Sequence, residues 1–134
     1  MKIPKGATIA VADGEILNLY RNSGEESAPK LIAMPDAIIA SGNAGSGARH
    51  QSSSANPSES QQDEDGFAAG TAAMLNTRVL DGKIDNLIIV AAPRTLGELR
   101  KHYHKSLSAI LVGEIPKDLT GHSLADVEKT IVAA

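Results

Sequence analysis

The spacing of apolar positions changes character several times along the chain, and each change marks an element. In "ATIAVADGEILNLYRN" two short apolar runs flank Asp13-Gly14, a dipeptide that supplies the positive φ angles of a tight hairpin turn. A β-hairpin is predicted there. "PKLIAMPDAIIA" continues as a third strand, broken or bulged near Pro35, because proline cannot donate a ladder hydrogen bond. From Asp63 the period lengthens: Phe67, Thr71, Met74 or Leu75, and Arg78 or Val79 recur at helical spacing. Asp63, Glu64 and Asp65 are placed on the first turn, where the helix dipole favours negative charge. Asp81-Gly82 stops this predicted helix.

"NLIIVAAP" is a continuous apolar run with β-branched centres, the pattern of a strand buried on both faces of a parallel sheet. "TLGELRKHYHK" reads as a helix opening with Thr95 and Glu98 in capping-box spacing. "LSAILVGEIP" supplies a fifth strand. "SLADVEKTIVAA" gives a last helix, with Leu124, Val127 and Ile131 on one face and Ser123 with Asp126 at its start. The order βββαβαβα predicts an α/β domain: a mixed five-stranded sheet with helices packed on it. Three antiparallel strands followed by right-handed crossovers correspond to a ribonuclease-H-like arrangement.

One stretch fits none of these patterns. "GNAGSGARHQSSSANPSESQQDED", residues 42–65, contains, apart from Pro57, no apolar side chain larger than alanine, and runs from a basic, glycine-rich front to an acidic rear. The chain of 134 residues is the size of one domain. Cutting it at this stretch would leave an N-terminal piece too small to fold without disulfides or a metal. With no cysteine, neither a disulfide nor a thiolate zinc site is available. The stretch is therefore expected to be a long internal loop of a single domain spanning 1–134. Its polar residues do not offset the entropy of ordering, so mobility in the free protein is expected.

Composition narrows the classes further. Apolar residues make up 42% of the chain, but only two Tyr, one Phe and no Trp contribute, so the core must be aliphatic. No window approaches the roughly 18 apolar residues of a membrane span, and the opening lacks a secretory apolar region of about 7–15 residues. A cytoplasmic protein without a membrane partner is the expectation. A net charge of −3 argues against a general nucleic-acid coat. The distribution is more informative: Arg94, Arg100, Lys101 and Lys105 gather with only Glu98 against them, a candidate basic patch for an anionic partner. "AAPRTLGELRKHYHK" leaves the carboxyl end of a buried strand and opens a helix. Its free amides, with Arg94 and Thr95, form a candidate phosphate or RNA site. The plainer reading is that Thr95 caps the helix and Arg94 is solvated.

Catalytic chemistry finds less support. A two-metal nuclease needs carboxylates on the first strand, the first helix and the end of the fourth strand. Asp13 and one of Asp63, Glu64 or Asp65 would serve, but the fourth strand ends "VAAPR", and its acid, Asp85, lies at the opposite end. The hairpin turn already accounts for Asp13. His102 and His104, two apart on a predicted helix, point to different sides, while His50 and His122 stand alone in polar surroundings. All four are expected at the surface. No nucleophile elbow or phosphate-binding P-loop occurs, so no catalytic residue, metal or cofactor is assigned.

"VADGE", "GARHQSSS", "DGFAAG", "AAPRTLGELRKHYHK" and "KDLTGHSLADVEK" together resemble the bacterial host attachment protein family, over essentially the whole chain. That family is in turn similar to a bacterial branch of the archaeo-eukaryotic peptide-chain release factors. The first resemblance implies a non-catalytic cytoplasmic binding or regulatory domain that supports attachment to host cells through a protein partner. The second implies a translation or rescue factor associated with the ribosome, tRNA or rRNA; a metal-dependent nuclease is a weaker alternative.

In the release factors a Gly-Gly-Gln triplet sits in the loop after the third strand and enters the peptidyl-transferase centre. The likeness makes Gly45, Gly47, Arg49 and Gln51 the nearest counterparts here. The triplet itself is absent, because Ala48, Arg49 and His50 separate Gln51 from Gly47. The resemblance also places Arg94 and Arg100 in one shared motif and Lys117, Asp118 and Thr120 in a second.

Overall fold

In the computed structural model, residues 1–39 and 58–134 are described, with side chains from 61 onward in the second segment. Strands β1 (Thr8–Ala12) and β2 (Leu17–Asn22) form the expected hairpin, pairing Thr8 with Arg21 through Ala12 with Leu17. The turn is not made by glycine geometry, however. Positive φ occurs at Gly6 and Gly82 but not at Gly14. Asp13 closes the turn instead: its Oδ1 accepts the amides of Glu15 and Ile16 at 2.7 and 2.6 Å, and its own N–H donates to the Ile16 carbonyl at 2.9 Å. Gly14 makes room for α1 instead, since a Cβ there would lie 2.6 Å from Cγ of Glu64 and force that side chain to shift.

β3 (Leu31–Ala33) adds antiparallel to β2 and ends before Pro35, as proline dictates. It is an edge strand, and its Leu31 amide is held by Glu128 Oε2 at 3.0 Å, which blunts the edge against further pairing. Helix α1 (Ser58–Leu80) starts earlier than the apolar period suggests. Residues 58–65 of the polar stretch are thus helical, and Asp63, Glu64 and Asp65 fall beyond the first turn. The rest of that stretch, with Gly45, Gly47, Arg49, His50 and Gln51, lies outside the described residues. α1 ends as expected: Gly82 adopts φ +77°, and the amides of Gly82 and Lys83 donate to the carbonyls of Val79 and Arg78.

β4 (Leu87–Ala91) is buried along its whole length and runs parallel to β1. The crossover that follows is two helices, not one: α2 (Pro93–Arg100) and α3 (Lys105–Ile110). The expected fifth strand consequently loses its front, and β5 spans Leu111–Ile115, parallel to β4 with a register shift between Leu87 and Ile88. α4 (Leu124–Ala133) is capped by Ser123, whose Oγ accepts the Asp126 amide at 3.1 Å.

The result is an open, mixed five-stranded sheet in the order β3-β2-β1-β4-β5 with helices on both faces. Alternation along the strands sorts the aliphatic side chains. Ile9, Val11, Ile88, Val90 and Ile115 pack against Val127 and Ile131 of α4. Ala10, Leu87, Ile89 and Ala91 pack against α1 to α3 through Ala68, Ala72, Leu75, Leu96, Leu99 and Leu107. Buried Asn22 organises the turn after β2: its Nδ2 donates to the Ile3 carbonyl at 2.9 Å, and its Oδ1 accepts the amides of Gly24 and Lys30 at 2.9 Å each. Among the described residues no helix is long and apolar enough to cross a membrane.

Candidate functional site

Because β1 and β4 are in register from Thr8–Leu87 to Ala12–Ala91, and Val90 pairs with Ile115, the three parallel strands end at nearly the same level. Asp13, the start of α2, and the loop carrying Lys117, Asp118 and Thr120 therefore leave one edge of the sheet. In open α/β sheets this carboxyl edge is where ligands bind.

Thr120 ties two parts of this edge together. Its hydroxyl lies 3.0 Å from Asp13 Oδ2 and 2.8 Å from Asp118 Oδ1, and its amide donates to Asp118 Oδ1 at 3.1 Å. The hydroxyl and amide of Thr120 hold the Asp118 carboxyl below its ordinary range. Asn18, at the start of β2, donates to the Thr120 carbonyl at 3.4 Å. Asp13 thus does more than close a hairpin turn, since its second oxygen anchors the β5–α4 loop. Among the described residues no group of three His, Cys, Asp or Glu side chains is arranged to hold a metal ion.

Beside this polar knot, α2 begins with its amides free of any side-chain cap. Ala92 occupies the cap position, Pro93 is at the first helical position, and the first turn carries no acid. Thr95 does not cap the helix; it lies inside it. Glu98, its supposed capping-box partner, instead accepts from Lys101 Nζ at 3.0 Å and sits 3.5 Å from His102 Nε2. Arg94 is exposed and forms no ion pair among the described residues. Lys117 is likewise exposed at the same edge.

The remaining cations of the motif stand elsewhere. Arg94 and Arg100 are six residues apart on α2, so Arg100 lies about 9 Å along the axis from Arg94. There Arg100 grips Glu114 of β5 with Nε and Nη2 both at 2.8–3.2 Å from its carboxylate, a fork-like geometry that raises the guanidinium's affinity for its proton. Tyr103 donates to the other oxygen of Glu114 at 2.9 Å, and burial followed by that bond pushes its phenol well above the ordinary range. Glu98 raises Lys101 and is itself lowered by it. Asn76 on α1 then fixes the break between α2 and α3, donating to the His102 carbonyl at 2.8 Å and accepting the His104 amide at 2.9 Å.

Three expectations are corrected by these contacts. The basic segment faces two carboxylates, Glu98 and Glu114, not one. His102 and His104 lie on the connection between two helices, and His104 caps α3 by accepting the Ser106 amide on Nδ1 at 3.0 Å. His122 is not alone, with Asp126 Oδ2 at 3.7 Å from its Nδ1. Lys105 is the first residue of α3. Glu114, Asn18 and Asn76 were missed; only Glu114 left a trace, as a lone carboxylate inside the apolar run "AILVGEIP".

Fold and edge together define an α/β domain on an open mixed sheet, with a helix start that has no side-chain cap and, at the carboxyl ends of its parallel strands, an arginine that has no ion-pair partner among the described residues. The chain belongs to the bacterial archaeo-eukaryotic release factor family 12, which it matches over residues 6–131. That span includes all five strands and all but the last residues of α4. No curated protein matches the chain. The family match carries the release-factor side of the resemblance; it does not extend to host attachment.

Proposed function

We propose that this chain is a release-factor-like translation or rescue factor of the cytoplasm that binds the ribosome or tRNA without itself hydrolysing the ester. The family match over residues 6–131 carries this reading. The order β3-β2-β1-β4-β5, with its antiparallel hairpin and parallel crossovers, supports a ribonuclease-H-like arrangement of the domain. Arg94, Lys117 and the uncapped α2 amides are the groups suited to phosphate at the sheet edge. Arg100 and Lys101 are engaged with acids and serve the scaffold. The residues that the family likeness would present to the ribosome are Gly45, Gly47, Arg49 and Gln51. Without a Gly-Gly-Gln triplet, binding and not water positioning is the role assigned to them.

The test is sedimentation of native lysate through sucrose at low and moderate salt. It compares the wild type with a variant in which residues 43–57 are replaced by a Gly-Ser segment of equal length, which spares α1. Cosedimentation with ribosomes that weakens with salt and with the replacement is expected, because phosphate contacts release counterions. Protein that stays at the top of the gradient under every condition would refute the reading.

A further inference from the structure

On the β2 flank of the same edge lies a pocket of about 330 Å³ between the hairpin, the segment after β3 and α1. Ile16, Leu17, Ile39 and Phe67 give it apolar patches within a mostly polar lining, to which Glu15, Asn18 and Asp36 contribute. Phe67 is the chain's single phenylalanine and is not fully buried. Ile16 of the lining is 48% exposed, and Ile38, between the lining residues Ala37 and Ile39, is 95% exposed, two of the largest apolar exposures among the described residues. Exposed apolar patches rimmed by polar groups mark interaction sites.

Charge decides what fits. Glu15 and Asp36 are exposed, and neither forms an ion pair among the described residues. Asp63 and Glu64 precede Phe67 by one helical turn and share its side of α1, with Glu64 reaching over Gly14 beside Glu15. Among the described residues no Lys or Arg lines the pocket. The two carboxylates in the lining, with Asp63 and Glu64 on the adjoining turn of α1, repel nucleic acid and lipid headgroups, and a purely apolar partner would leave them unanswered.

We propose that this pocket docks a basic amphipathic protein segment, which sets Lys or Arg against Glu15 and Asp36 and an aliphatic side chain on Phe67. The surface is separate from the Arg94 edge and stands whether or not that edge binds RNA. The two neighbouring surfaces have opposite preferences, one for phosphate and one for cationic peptide.

The experiment uses the full chain and a fluorescein-labelled peptide alternating lysine and leucine, followed by anisotropy, with an all-lysine peptide of equal charge and a glutamate-leucine peptide as controls. The lysine-leucine peptide binds, the glutamate-leucine peptide does not, and the double variant Glu15→Lys, Asp36→Lys weakens binding by about ten-fold or more. Amide resonances of Ile16, Ile39 and Phe67 shift on binding. Equal binding of the all-lysine peptide, or indifference to the charge reversal, overturns the proposal. So does binding that emerges only when residues 43–57 are replaced by Gly-Ser, because the chain's own segment would then be the occupant. Both substituted side chains are exposed, so the fold should persist by circular dichroism; if the double variant does not fold, Asp36→Lys alone is the test.

Discussion

Arg94 and Arg100 stand at the two ends of α2, in one recognisable motif, and meet opposite surroundings. Arg100 is forked onto Glu114, whose second oxygen is taken by Tyr103, and the adjacent Lys101 is held by Glu98. Arg94 leaves the carboxyl edge of β4 with no acid in its helical turn and no partner among the described residues. A count of charges along the sequence treats the two as one patch. The difference is made by β5, which lies beyond α3 and brings a carboxylate, 14 positions from Arg100, to one end of the helix only. A cation is available to a ligand when the fold has not already answered it.

The largest effect expected from this contrast is on stability. Glu114→Ala removes the acceptor of a half-buried tyrosine hydroxyl, and loss of a hydrogen bond to a charged group costs about 2 kcal/mol. Arg94→Ala, which breaks no described contact, should change stability by less than about 0.5 kcal/mol. Urea unfolding of both variants measures the difference. Similar losses in the two would mean that Arg94 is as much a part of the scaffold as Arg100.

Binding should divide the pair the other way. If the Arg94 edge takes phosphate, Arg94→Ala lowers ribosome or tRNA affinity and reduces the slope of log K against log salt by about 1. Arg100→Ala leaves both quantities near wild type, because its charge is already matched by Glu114. Pelleting with ribosomes across a salt series reads both at once. A loss with Arg100→Ala equal to that with Arg94→Ala would erase the distinction between free and engaged cations.

How much of this could be read in advance depended on whether the signal was local. The hairpin, the buried β4, the stop at Gly82 and the Ser123 cap were legible, because each rests on residues within one turn or strand. The break between α2 and α3 was not, since it is held by Asn76 from another helix. The start of β5 was misplaced for a different reason: "LSAI" is apolar enough to extend the strand, but His104 accepts the Ser106 amide and caps a helix there, a local role that a histidine seldom signals. Thr95 was misread because a capping-box spacing says nothing of Pro93, which had already started the helix. At the site, Arg94 was legible as a residue type in a place, but its freedom was a fact about β5. The Asp13–Thr120 contact spans 107 positions, a separation at which no local pattern operates.

The smallest effect is one of pH, and it tests whether the Arg100 end is as fixed as its distances imply. The ordinary phenol value is 10.0, and burial together with the Glu114 carboxylate raises Tyr103 well above it, only partly offset by Arg100. The folded chain therefore holds this proton more tightly than the unfolded chain. Below about pH 10 both states keep it, and the group contributes no pH dependence. As pH climbs past that value the unfolded state ionises first, so stability falls, and it goes on falling until the folded phenol also titrates. The slope should stay under about 1 kcal/mol per pH unit, since the ring is only half-buried and solvent screens Glu114. Tyr103→Phe removes this part of the alkaline loss while lowering stability at neutral pH, and Arg94→Ala keeps the wild-type slope. Unfolding in urea at about pH 9 and about pH 11 separates them. An unchanged slope in Tyr103→Phe would mean the Tyr103–Glu114 contact is not held in solution, and the contrast between the two ends of α2 would lose its firmer half.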